Sequence, residues 1–349
     1  MRIGMVEVAK AGEAAARRSR FVEARNDALR EIREKRQTDL KARKSAIERA
    51  TTLYSILDAD GEHPDVRLRS GFVWLAQKRP ERVFTGDRKT TLEKDVETRP
   101  PCTALIFRQG NALQVYMTCI YVAHLENEPG APVQNDRPNS YGPSWVELCG
   151  LKLSGDQPRG SNRRLGRALV KLEKRKLVSV GKAGDTGRFG GFRLLREDGS
   201  GHPYEVPAAT SSAEVFEVPA GFFLAGWHLV LTGEELATFL AVLDQSNRRR
   251  PRPPDVGVGF SESTRWARYG LAAEAYSAHR ELEEFGLIDV TDPEGRRNGK
   301  LKPGQKSGDG LSTYQMHYPP KVQMDFSKPA FDVVMDKLKA SAIPPRLLD

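Results

Sequence analysis

Two sixteen-residue stretches of this chain, LGRALVKLEKRKLVSV (Leu165–Val180) and AYSAHRELEEFGLIDV (Ala275–Val290), align without a gap at a constant offset of 110 residues. An internal repeat constrains a fold more than composition does, because one supersecondary unit must suit both places. In the second stretch Ala275, Ala278, His279 and Leu282 recur at spacings of three and four and share one helical face. Gly286 is a natural helix stop, since it takes the left-handed conformation without a Cβ penalty. Leu287, Ile288 and Val290 then suit a strand. In the first stretch Leu172 matches Leu282, Glu173 matches Glu283, Leu177 matches Leu287 and Leu169 matches His279, while Lys176 stands in place of the glycine. His279, on a leucine position, is expected in the core.

Further helices precede each stretch. ALQVYMTCIYVAHL (Ala112–Leu125) is a strongly apolar helix, and SWVELCGL (Ser144–Leu151) is a short one with Ser144 and Glu147 as a capping box. Before the second stretch, Leu231–Gln245 places Leu236, Phe239, Leu240 and Leu243 on one face behind a Thr232/Glu235 capping box. Ser261–Leu271 reads as a second helix opened by Ser261. After each stretch come a turn and a return strand: GKAGDTGRFGGFRLL in the first copy, and a long basic loop ending in TYQMHYP in the second. EVFEVP, GFFLAGWHLVL and CTALIFR read as strands or strand-like segments, RLRSGFVWLAQ as a strand or short helix, and PERVFTGDRKTTLEKDVETRPP as a polar loop.

The ending AHRELEEFGLIDV resembles the close of the third helix in winged helix-turn-helix DNA-binding proteins. A small residue and a leucine-glutamate pair lead into Gly-Leu and an aliphatic strand. Two copies imply an α+β, mainly α chain with two tandem winged helix-turn-helix domains. The first is expected over residues 58–205 and the second over 206–325, with a short C-terminal helix and tail at 326–349. Residues 1–57 form a helical arm. From Glu13 to Arg49 the arm is nearly free of Gly and Pro, and its twelve basic residues outnumber seven acidic ones. Its apolar positions are sparse and give no unbroken heptad seam. A solvated helix packing only at its C-terminal end is expected, dispensable for folding up to about Arg49. A weak coiled coil and a DNA-contacting arm are the alternatives.

The net charge of +9 favours a polyanionic partner. The resemblance implies double-stranded DNA, read by side chains of a recognition helix and held at its phosphates by nearby cations. In the first copy the candidates are Arg159, Ser161, Asn162, Arg163, Arg164, Arg167 and Lys171, with Arg188 in the wing. In the second they are Arg265, Arg268, Tyr276, Ser277 and Arg280, with Arg296, Arg297, Lys300, Lys302 and Lys306 in the wing loop. Tyr269 and Tyr276 also suit half-buried packing. The dense cluster favours the first copy for direct contact.

Tandem winged helices with a helical extension are similar to plasmid replication initiators that bind iterated origin repeats, a resemblance of architecture over roughly residues 104–320. It implies a replication initiator of plasmid or phage type. A transcriptional regulator is the alternative within the class, and a non-DNA-binding assembly module is the one outside it. A homodimer is compatible with either role. No enzyme is expected. GRRNGK (Gly295–Lys300) lacks phosphate-loop spacing, the six histidines form no ligand motif, and no carboxylate pair stands out, so neither metal nor cofactor is indicated. Three cysteines without a CxxC pair, and a start without an apolar leader, suit a reducing cytoplasm. The longest mostly apolar stretch, Leu113 to Leu125, is too short to span a bilayer.

Overall fold

The computed structural model describes residues 3–58, 61–62, 64–80, 88–108, 110–140, 143–153, 155, 158–208, 214–248, 256–293, 314–319 and 326–340. Side chains at 3–26, 28, 29, 88–92 and 158 lie outside that description. The chain is mainly helical with small two-stranded antiparallel sheets. Among the described residues no helix is long and apolar enough to cross a membrane.

One order of elements occurs twice. In the first repeat α4 (Ala112–Glu126), α5 (Trp145–Leu148) and α6 (Pro158–Glu173) precede the paired strands β2 (Val178–Ser179) and β3 (Arg193–Leu194). In the second, α9 (Gly233–Arg248), α10 (Glu262–Ala267), α11 (Ala273–Tyr276) and α12 (His279–Glu284) precede β5 (Asp289–Thr291), paired with β6 (Gln315–His317). The helix starts follow local side-chain chemistry. Ser144 Oγ accepts from Glu147 N, and Ser261 Oγ accepts from Thr264 N. At the start of α9, Thr232 and Glu235 each satisfy the other's backbone N–H, at 2.9 and 3.2 Å.

The helix ends match as well. Gly150 (φ +58°) and Gly270 (φ +65°) take the left-handed conformation after the second helix of each repeat. Gly270 has no alternative: a Cβ there would sit 2.7 Å from Thr103 Oγ1. After the third helix Gly286 has φ +77°, and Lys176 takes φ +55° at the equivalent place. The N–H of Leu177 reaches Leu172 O at 3.1 Å and that of Leu287 reaches Leu282 O at 2.9 Å. These bonds close the same left-handed cap in both copies. Leu172, Leu177, Leu282 and Leu287 are all buried.

The two repeats share one continuous apolar core. Strand β1 (Val66–Arg69) pairs in antiparallel register with β4 (Val215–Val218), joining the lead-in of one repeat to that of the other. Arg69, buried in this seam, is held by Glu197 at 2.9 Å. Trp74 lies beneath the guanidinium groups of both Arg248 and Arg268. A short α13 (Ala330–Ala340) closes the far side against α1 (Ile3–Leu57) and α8 (Trp227–Val230).

Several expectations change. CTALIFR is not a strand: it lies in and just after helix α3 (Pro101–Leu105), whose first-position proline pre-sets the helical φ. GFFLAGWHLVL forms helix α7 (Ala220–Leu224) and α8, parted by Gly226 at φ +80°. The expected polar loop contains α2 (Arg88–Glu97), anchored by Asp95 between Arg79 and Arg99 at 2.6 Å each. RLRSGFVWLAQ gives β1 and a 3-10 turn at Ser70–Phe72. The third helix of the second repeat is not continuous but breaks between Tyr276 and His279, where the His279 ring bonds to Tyr276 O at 2.7 Å. His279 is buried, as its leucine position implies.

The arm departs furthest from expectation. It is one helix, α1 (Ile3–Leu57), and its second half is core material. Leu40, Ala46, Ile47, Ala50, Leu53 and Tyr54 are buried against α4 and α5 of the first repeat and α7, α8 and α13 beyond it. Arg33 is 3% exposed and pairs with Glu284 at 2.7 Å, and Arg36 pairs with Glu235 at 2.6 Å. Gln37 donates to Leu338 O. The expected boundary near Arg49 therefore moves toward residue 30. Sparse apolar spacing misled because charged side chains, matched to acids elsewhere in the chain, do part of the anchoring.

Candidate nucleic-acid interface

Helix α6 is strongly two-faced. Leu165, Ala168, Leu169 and Leu172 are buried against α4 and α5, which leaves the opposite side to solvent. On that side Arg159, Arg163 and Arg167 follow one another at four-residue steps, all exposed, forming a stripe along the axis. None of the three has a hydrogen-bond or ion-pair partner among the described residues. The helix carries five basic residues and one acidic, and no acid lies in its first turn. Cations near a helix N-terminus oppose the helix dipole, and like charges four apart repel. The arrangement therefore costs stability in isolation and loses that cost when an anion lies along it.

The other candidates of the first repeat hold the scaffold. Arg164 turns back to donate two hydrogen bonds to Leu151 O, at 3.0 and 3.2 Å. Burial pulls its guanidinium below the usual range. Ser161 is buried. Lys171 donates to Arg108 O, and burial, helped by the charge of Arg108, pulls its ammonium down. Arg188 donates to Glu173 at 2.6 Å and to Gly181 O, tying the turn between β2 and β3 to α6. Asn162, half-buried, keeps a buried Oδ1 with no partner among the described residues.

Sequence reasoning missed the contact that sets the turn between β2 and β3 against this helix. Phe189 lies over Gly166, where an added Cβ would come 3.1 Å from the ring. Asn139 Nδ2 donates to Phe189 O at 3.0 Å, holding the same residue from the other side. A glycine in mid-helix was the available signal, since it costs stability unless something must approach closely.

In the second repeat the candidates are scattered and engaged. Arg268 donates to Leu75 O at 3.0 Å and also to Ala76 O. Arg265 lies over the Tyr276 ring and Arg280 over that of Tyr314, whose hydroxyl it also meets at 3.3 Å. Ser277 Oγ donates to Glu274 O at 2.6 Å, and Tyr276 is half-buried. Tyr269, expected half-buried, is fully buried and bonds Asp244 at 2.8 Å. From Ala273 to Glu284 there is one basic residue against four acidic, where α6 has five against one. Burial raises the Glu283 carboxyl, with Asp289 adding to the effect. Arg296, Arg297, Lys300, Lys302 and Lys306 lie outside the described residues.

Beside the arginine stripe is a cleft of about 670 Å³ between α6 and the start of α4. Gly110, Ala112, Gly166, Val170 and Phe189 contribute to its walls, Arg163, Arg164, Arg167 and Lys171 are its cations, and no acidic side chain is among its described lining residues. No protein-family model, curated protein or solved structure matches the chain.

Proposed function

We propose that the chain is a tandem winged-helix protein that binds double-stranded DNA in a sequence-specific way, as a replication initiator of plasmid or phage type, with α6 as its recognition helix. The observation that carries the reading is the stripe of Arg159, Arg163 and Arg167. It is exposed, unpaired among the described residues, and set on a helix that follows a left-handed glycine turn and feeds an antiparallel hairpin. That order suits a helix lying in the major groove with a wing beside it. Guanidinium groups at four-residue steps can reach base edges and flanking phosphates along one groove. The second repeat, with its broken and acidic third helix, serves as body in this reading and not as a second reader. The initiator role rests on the paired repeats and their similarity in architecture to initiators that bind iterated sites.

The test is duplex binding by the full chain at several salt concentrations. Affinity is expected to fall steeply with salt, with a log–log slope of about −0.9 per phosphate contacted. Replacing Arg159, Arg163 and Arg167 together by Ala should lower affinity about a hundredfold or more and flatten that slope. Selection from a random duplex library should return direct repeats. A folded triple variant with unchanged affinity would overturn the assignment of α6, and recovery of a single inverted repeat would favour a transcriptional regulator.

A further inference from the structure

The cleft beside α6 is of a size that takes a whole small ligand. Its volume of about 670 Å³ lies within the range that encloses small molecules, not the range of a methyl group or a single hydrogen-bonding edge. Its composition narrows the occupant. Ala112 and Val170 give it small and apolar walls, and the Phe189 ring, packed on Gly166, stands at one side. Exposed Arg163 and Arg167 bring positive charge, beside Arg164 and Lys171 whose heads bond backbone carbonyls, and no acid is among the described lining residues. The first amides of α4 lie at the same end, and Asn111 does not cap them with its side chain. An aromatic wall joined to exposed guanidinium groups is the combination that receives an unpaired nucleotide, base against ring and phosphate against guanidinium.

We propose that this cleft binds a nucleotide outside a duplex, with the base beside Phe189 and the phosphate at Arg163 and Arg167. The proposal rests on the reading of α6 as the nucleic-acid-facing helix, and adds an unpaired nucleotide to the duplex as its ligand. The same chemistry comes from a free nucleotide or from a separated DNA strand. Because aromatic stacking accepts every base, binding should depend little on base identity.

The experiment measures fluorescence anisotropy of the full chain with a labelled oligothymidylate of about 12 nucleotides, a length within the usual site sizes for single strands. Competition with thymidine monophosphate and a parallel titration of duplex complete it. Two variants report on the cleft. Val170→Trp fills it, and Phe189→Ala removes its wall and keeps the measurement open if the larger side chain disturbs folding, which thermal melting checks. Both should weaken single-strand binding about tenfold or more, and a larger loss for the single strand than for the duplex marks the cleft as its site. Displacement by the monophosphate assigns the cleft to free nucleotides as well, and cleft-dependent strand binding without displacement assigns it to strands alone. Absence of single-strand and mononucleotide binding alongside intact duplex binding overturns this inference only. Single-strand binding that Phe189→Ala leaves unchanged overturns it too. Loss of duplex binding in the wild-type chain, with single-strand binding retained, overturns the duplex reading instead.

Discussion

The two repeats share their caps and differ in their surfaces. Each places a left-handed glycine after its second helix, a buried leucine pair around the end of its third, and an antiparallel hairpin after that. Yet α6 is one unbroken helix with a net charge of +4, five basic residues against one acidic. The matching segment is broken into α11 and α12 and carries −3, one basic residue against four acidic. Part of that acidity is used within the chain, since Glu284 holds Arg33 of α1, as Glu235 of α9 holds Arg36. A shared scaffold therefore leaves the outer face free to take different partners: in the second repeat, in part, the protein's own long helix, and in the first, by our reading, nucleic acid.

The largest effects should come from what the repeats share. Leu172→Ala and Leu282→Ala remove equivalent, fully buried side chains. Each should cost about 2–5 kcal/mol in denaturant unfolding. A large loss in one and none in the other would break the equivalence of the repeats.

Next is the docking of α1. Removing one member of a buried ion pair costs about 3–5 kcal/mol, because the partner is left charged and unpaired. Arg33→Ala should therefore destabilise the chain by a few kcal/mol, toward the lower bound because Glu284 keeps some contact with solvent. Deleting residues 1–29 should leave thermal stability close to that of the full chain, whereas deleting 1–49 should leave it unfolded. Equal melting temperatures for the two truncations would show that the ion pairs and the buried face of α1 contribute nothing.

Acid should separate the two matching positions, His279 and Leu169. Burial pulls His279 down to about 4, whereas Leu169 occupies the matching place in the first repeat. A histidine kept neutral in the fold but free to protonate when unfolded stabilises fully above its unfolded value near 6.5. That contribution is lost as pH falls toward 4. Each such histidine contributes a slope of up to about 1.4 kcal/mol per pH unit in that window. His124, also held at about 4, and His228, held at about 3, add to the effect. His228 Nε2 lies 3.0 Å from the Tyr54 hydroxyl, which donates to Leu148 O, so its ring acts there as a neutral donor. His279→Leu should flatten the stability profile between pH 6.5 and 4 by one histidine's share. An unchanged slope would mean that His279 titrates normally in the folded chain.

The smallest effect concerns the cap. Lys176 holds a left-handed φ that disfavours side chains, and Gly286 holds it freely. Lys176→Gly should stabilise by up to about 1 kcal/mol, and Gly286→Ala should destabilise by about the same amount. Opposite signs in thermal melts would show that Lys176 gains more from its own contacts than its backbone costs.

What the sequence determined by itself lies within a few residues of each signal. The serine and threonine caps, the glycine stops, the repeat at 110 residues and the buried face of α6 are all local, because a cap or an amphipathic stripe needs only its neighbours along the chain. Short apolar segments were ambiguous for the opposite reason. Residues 101–105 and 220–230 suit strand or helix equally, and packing against α9, α1 and the rest of the core decided for helix. Tertiary structure alone also decided which arginines are free. Arg164 and Arg268 read like Arg163 and Arg167 in sequence. Carbonyls at Leu151 and Leu75, 13 and 193 residues away, claim the first two. A guanidinium takes whichever acceptor the fold brings within 3 Å, and no pattern along the chain encodes that distance.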